Sequence, residues 1–215
     1  MKTAKKLVVL MVVLAMVFAL STTAFADTSG TVTVTFLVPK SYTLPGQTTP
    51  TVFPQPDDYT ANGSFSDYYE YTISGLDLSD VSSFTNGNDL NVFDVIYEVA
   101  VNQKEESEAE LNDATNSTEF VYHYDANPAY GNPGWVIDRL SGLETDEVQA
   151  TNNSWAGFYW SVYGVPSGIT YNVTNPTYVP ETHSFLYQLG GYTSNVEAES
   201  GYTYYMVYVY EAMSW

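Results

Sequence analysis

The sequence predicts an α+β domain made mainly of antiparallel β-sheet, with one helix packed on it at about Leu90 to Val101. Three observations carry this. Apolar and hydroxyl-bearing side chains alternate with period two in several short segments separated by Gly, Pro and Asn clusters. A single stretch repeats its apolar residues three and four apart. Aromatic residues make up 16% of the chain, 20 of them tyrosine, and cysteine is absent, so rings rather than disulfides must build the core.

The chain opens with Lys2, Lys5 and Lys6 ahead of an apolar run from Leu7 to Leu20, which leads to Ala24-Phe25-Ala26. That is the pattern of a secretory signal with a small-residue cleavage site, read here as residues 1–26. The run falls short of the roughly 20 apolar residues of a spanning helix, which favours removal over anchoring. The 189 residues from Asp27 to Trp215 suit one domain with insertions better than two full domains.

Thr31 to Val38 alternates hydroxyl and apolar side chains, the pattern of a half-buried strand, and Pro39 ends its ladder. From Pro39 to Thr60 the chain holds five prolines and no period, which predicts an insertion that forms a surface loop or linker. Ser66 to Ser74 returns to strand-like alternation, and Gly75 to Gly87 is rich in turn residues. Asn88-Asp89 has the character of a helix cap, followed by Leu90, Val92, Phe93, Ile96, Tyr97, Val99 and Ala100 at helical spacing. The run from Lys104 to Leu111 is polar on every face and gives a continuation of that helix little support.

Glu119 to Tyr124 reads as a strand and Asn127 to Gly134 as a loop with several turns. Trp135 to Leu143 reads as a further strand closed by a Ser-Gly turn. Ser154 to Gly164 then gathers two tryptophans, two tyrosines and a phenylalanine. From Phe158 its side chains separate by face: Phe158, Trp160 and Val162 are wholly apolar, whereas Tyr159, Ser161 and Tyr163 carry hydroxyls. After Pro166-Ser-Gly168 and a polar stretch, a short strand is predicted at Phe185 to Leu189. The last strand, Gly201 to Tyr210, puts Tyr202, Tyr204, Met206, Tyr208 and Tyr210 on one face.

Taken in order, Val32 to Val38, Val92-Phe-Asp-Val-Ile96, Gly134-Trp-Val-Ile-Asp-Arg-Leu-Ser-Gly-Leu143, Phe158-Tyr-Trp-Ser-Val-Tyr-Gly164 and the late glycine before Tyr204 to Tyr210 resemble the transcobalamin-like C-terminal domain family. That family occurs in bacterial surface proteins and in the β-domain of cobalamin carriers. Its aromatic strand commonly ends in Asn-Gly, and Tyr163 stands at the position of that Asn. The resemblance implies a compact sheet-and-helix module. Cobalamin-carrier relatives hold their ligand between this module and a separate helical barrel, for which this chain has no counterpart, so no cofactor, cobalamin included, is expected of it alone.

Charge narrows the partners. Once the signal is set aside, Lys40, Lys104 and Arg139 face 25 acids, a formal charge of −22. Phosphate contacts need a basic footprint, so nucleic acid is excluded, and anionic lipid surfaces are excluded on the same ground. The acids are scattered, without an Asp-x-Asp-x-Asp-Gly loop to gather calcium, and read as solubilising charge. Four Asn-x-Ser/Thr sequons, at Asn62, Asn116, Asn152 and Asn172, are as frequent as this composition produces by chance.

Catalysis finds little to work with. His123 and His183 form no close metal pair, no nucleophile elbow is present, and Asp57/Asp58 or Glu144/Asp146/Glu147 are solvated acids before they are anything else. An intramolecular Lys-to-Asn bond would have only Lys40 and Lys104 to draw on. Neither a catalytic residue nor a metal ligand is therefore expected. The hydroxyl face of the aromatic strand is the sharper possibility: Trp155, Tyr159 and Tyr163, with Tyr130 and Trp135 near the preceding loop, form a candidate platform for sugar rings or a partner chain. Core packing is the competing assignment for Trp135, Phe158 and Trp160. The sequence thus points to an exported bacterial surface or extracellular module, non-enzymatic, that binds a protein, glycan or small ligand. The alternatives are a subunit of a surface layer or filament, pairing through its first or last strand, and a corrinoid-binding component acting with a separate helical domain.

Overall fold

The computed structural model describes residues 30–83, 90–102, 120–126, 133–151, 154–168, 187–188 and 196–214. The expected signal at 1–26, the Asn88-Asp89 pair, the run 104–111, Tyr130 and His183 lie outside them, as does most of the strand expected at 185–189. In chain order the elements are β1 (Thr31–Pro39), β2 (Ser41–Tyr42), β3 (Thr51–Val52), β4 (Tyr68–Asp77), helix α1 (Val92–Asn102), β5 (Phe120–Asp125), β6 (Gly134–Leu140), β7 (Leu143–Glu144), β8 (Asp146–Thr151), β9 (Ser154–Pro166), β10 (Tyr187–Gln188) and β11 (Tyr202–Ser214). A 3₁₀ turn at Leu78–Asp80 follows β4.

The main sheet runs β10-β9-β11-β1-β4, with β8 on the same edge of β9 as β10. Its pairs are antiparallel except β1 with β11, which is parallel. The fold is therefore α+β with β dominant, as the alternation predicts, and the sheet is mixed. Register fixes the two faces. Val34, Phe36 and Val38 share one with Tyr204, Met206, Tyr208, Phe158, Trp160 and Val162, and all of these are buried in the larger core cluster. Leu37, Tyr163, Val165 and Val207 are buried on the other, under Phe65, Tyr68, Tyr205 and Val209. As a result β1 is buried on both faces from Val34 to Pro39 rather than half-buried, because it lies between β11 and β4 and is covered twice. Its alternating hydroxyls still need partners: the buried Thr35 hydroxyl is 3.0 Å from that of Thr72.

Helix α1 starts at Val92, not Leu90. Its cap is Asn91 rather than Asn88-Asp89: the Asn91 amide donates to Asp94 Oδ2 and the Asp94 amide to Asn91 Oδ1, both at 3.0 Å, a reciprocal capping box. Five of its eleven residues are β-branched, at a cost of about 0.5 kcal/mol each against alanine. Burying Val92, Phe93, Val95, Ile96 and Val99 completely is worth about 1.5 to 3 kcal/mol apiece, so packing outweighs propensity. Phe93 stacks on Trp135 at 5.7 Å and Tyr97 meets Tyr122 edge-on at 5.8 Å, which ties the helix to the three-stranded sheet β5-β6-β7.

The Pro-rich segment is a cover, not a linker. Ser41 pairs with Val52 and Tyr42 with Thr51, and Phe53 and Tyr59 are buried. Phe53 meets Phe158 and Tyr208 edge-on, at 5.2 and 5.7 Å. Nor does Gly75 begin the turn region: the strand runs on to Asp77 through a register shift at Gly75, and Asp77 then caps the 3₁₀ turn.

The Ser-Gly turn is where sequence places it. Ser141 and Gly142 have φ of 53° and 74°, the two positive values of a type I′ hairpin between β6 and β7. Three aromatic residues of the large core hold this hairpin down. Trp160 Nε1 donates to the Leu143 carbonyl at 3.0 Å, the Tyr208 hydroxyl donates to the Glu144 carbonyl at 2.6 Å, and the Tyr59 and Ser141 hydroxyls share a 2.7 Å bond.

Candidate functional site

The four residues proposed from sequence do not stay together. Tyr163 is buried in the second cluster, opposite Tyr205, and is not available as an exposed platform. Tyr130 is outside the described residues. Trp135, half-buried against Phe93, belongs to the core. Trp155 and Tyr159 remain half-exposed on one face of β9.

These two are held by their neighbours. Trp155, Gly157 and Tyr159 follow at period two, so they share a face with Gly157 between the rings. A Cβ at Gly157 would lie 2.7 Å from Trp155 Cζ2, so the indole occupies the space that any other residue would fill. The indole meets Tyr159 with ring centroids 5.9 Å apart and 66° between the planes. The Tyr159 hydroxyl donates to Glu211 of β11. Burial first, then that bond and the carboxylate charge, push the phenol well above its ordinary value, so it stays a donor across the physiological range. The product is an indole laid along the strand, a ring set against its edge and a carboxylate beside them.

A second polar group, not anticipated from sequence, lies on the small sheet. Between Val121–Arg139 and Tyr122–Ile137 the β5–β6 register slips by one, leaving Asp138 as an extra residue. A bulge turns adjacent side chains toward the same side of a strand, and bulges recur beside binding sites for that reason. Here Val121, Asp138, Arg139, Glu144 and Thr145 line an open cavity of about 270 Å³. Arg139 pairs with Glu144, and His123 Nδ1 lies 2.6 Å from Asp138 Oδ2. The available sequence signal was faint: the only arginine of the chain and one of its two histidines fall on adjacent strands.

The remaining candidates take structural roles. Lys40 donates to the carbonyls of Ala61 and Ser66, at 2.8 and 2.5 Å, above the ring of Tyr69. Its ammonium thus pins the loop ahead of β4. Lys104 is outside the described residues. Among the described residues no three His, Asp or Glu side chains are grouped to hold a metal ion, and no helix is long and apolar enough to cross a membrane. No protein-family model matches the chain, and neither a curated protein nor a solved structure matches it.

Proposed function

We propose that the chain is an exported, non-enzymatic module of the bacterial surface or its surroundings, of the transcobalamin-like type, that binds a glycan through Trp155 and Tyr159. The order of its elements supports the family: an opening strand, a helix, the Trp135 strand, the aromatic strand and a tyrosine-rich last strand. The observation that carries the ligand class is the half-exposed Trp155 ring seated over Gly157 and braced by Tyr159, itself tied to Glu211. Sugar rings present C–H faces that stack on the electron-rich face of an indole, and hydroxyls that donate to a carboxylate. Because the rings are already fixed, little side-chain freedom is lost on binding. Anionic ligands are repelled by the net charge.

Titration with neutral cello-, chito- and malto-oligosaccharides, followed by tryptophan emission and calorimetry, tests this. Trp155→Ala should weaken binding about tenfold or more, the equivalent of one lost stacking contact. Absence of binding across the panel, or a Trp155→Ala variant that binds as well as the parent, would overturn the reading.

A surface-layer or filament subunit is the second reading; the first and last strands cannot serve it, because β1 and β11 both lie inside the sheet, but the outer edge of β4 favours it. Glu70 uses that edge to pair with Thr60, at 2.8 and 2.9 Å, whereas the exposed Thr72 and Ser74 beyond it have no outer strand among the described residues. An open edge of this kind accepts another strand. Sedimentation over a range of concentrations separates the two, since a persistent monomer argues against assembly.

A further inference from the structure

We infer that the cavity at the β6 bulge is a second ligand site, independent of the Trp155 face, for a neutral polyhydroxyl compound the size of a single sugar ring. Its walls are fixed before any ligand arrives. Trp160, Tyr208 and Tyr59 hold the β6–β7 hairpin from below, and the Thr145 amide donates to the Asp138 carbonyl at 2.9 Å, so the bulge cannot relax independently of the turn. Preorganisation of this sort is what lets a shallow polar site bind at all.

The chemistry of the lining selects the ligand. Arg139 is paired with Glu144, and Asp138 shares a 2.6 Å hydrogen bond with the His123 ring. An anionic ligand would face both carboxylates and would have to displace Glu144 to reach Arg139. Neutral hydroxyls need not, because a carboxylate has about four acceptor positions and one partner occupies only some of them. Asp138 and Glu144 accept, Thr145 both donates and accepts, and Val121 offers an apolar wall to ring C–H groups. A volume of about 270 Å³ lies at the small end of ligand pockets, which run from about 300 to 1,000 Å³, and so limits the occupant to one ring.

The test is a two-dimensional amide NMR titration of the full mature chain with glucose and galactose, against glucuronate and glucosamine as charged analogues. Neutral hexoses should give saturable shifts at Asp138, Arg139 and Thr145 in the millimolar range, glucuronate should bind more weakly, and glucosamine no more tightly. Thr145→Val removes an exposed hydroxyl and should weaken binding about three- to tenfold, the effect of one hydrogen bond, with the remaining spectrum unchanged. Trp155→Ala should leave these shifts intact, so the site stands or falls apart from the aromatic face. Shifts that do not saturate, tighter binding of a charged analogue, indifference to Thr145→Val, or loss of the shifts in Trp155→Ala would each overturn the assignment.

Discussion

Replacing Gly157 with alanine asks whether the aromatic face depends on a close approach at this one position. An alanine Cβ would sit 2.4 Å from the Asp146 carbonyl oxygen and 2.7 Å from Trp155 Cζ2, where ordinary contacts between heavy atoms begin at about 3.5 Å. The two obstacles yield differently. The indole can swing off the strand, whereas the carbonyl is backbone beside the ladder in which Asp146 pairs with Phe158 and Glu147 with Gly157. Overpacking of this kind costs about 1 to 3 kcal/mol, and restricting the unfolded chain by removing a glycine returns about 0.4 to 1 kcal/mol. The net loss should be about 1 to 2 kcal/mol, or about 2 to 8 °C in Tm for a chain of this size. Urea unfolding and calorimetry read the stability, and the emission shift relative to Trp155→Phe reads the position of the ring. A variant as stable as the parent, with unchanged emission, would show that the indole does not lie over Gly157 and would remove the structural basis of the proposed binding face.

Two further predictions test the packing. Asn91→Ala should cost about 1 to 2 kcal/mol by urea unfolding, because the buried Asp94 amide loses its acceptor, while Asn91→Ser should keep most of the stability; equal losses would mean that the capping bond is immaterial. Burial raises the phenols of Tyr68, Tyr163, Tyr204, Tyr205 and Tyr208 above 10.0, with Tyr208 pushed up to about 12. A folded-state value above the unfolded one gives stability that is whole below pH 10.0 and is lost as pH rises through about 12, so phenolate absorbance should show a second, late class that ionises together with loss of near-ultraviolet dichroism. A single ionisation step near pH 10.0 with the fold intact would contradict the buried positions of these rings.

Period-two alternation made the main sheet legible, down to the face shared by Tyr204, Met206 and Tyr208, because each of these strands keeps one uninterrupted face in the core. It could not show that Leu37, Tyr163 and Val207 are buried on the opposite face, since a strand covered twice has no face on which alternation must hold. The cap falls two to three residues beyond Asn88-Asp89 because Asn88, Asp89 and Asn91 are equivalent as residue types, and the choice falls to Asp94 three positions on from Asn91. Phe53 and Tyr59 escaped notice for another reason: among prolines neither belongs to a periodic run, although both rings reach the core. The bulge at Asp138 depends on strand register, which no local pattern encodes.

The tyrosine-rich, cysteine-free composition acquires a physical reason at the β6–β7 hairpin. A core of leucine and phenylalanine would bury the same area but leave the carbonyls of Leu143 and Glu144 without donors. Trp160 and Tyr208 place their rings in the large core and deliver an N–H and an O–H to those carbonyls, and the Tyr59 hydroxyl shares a hydrogen bond with that of Ser141. At about 1 kcal/mol each, the three bonds together approach the 2 to 4 kcal/mol, roughly, of a disulfide. They differ from a disulfide in acting on the folded state, so that losing one costs about 0.5 to 1.5 kcal/mol. Amphipathic rings can therefore join the two sheets of a disulfide-free chain, and the same junction fixes the walls of the cavity beside Asp138.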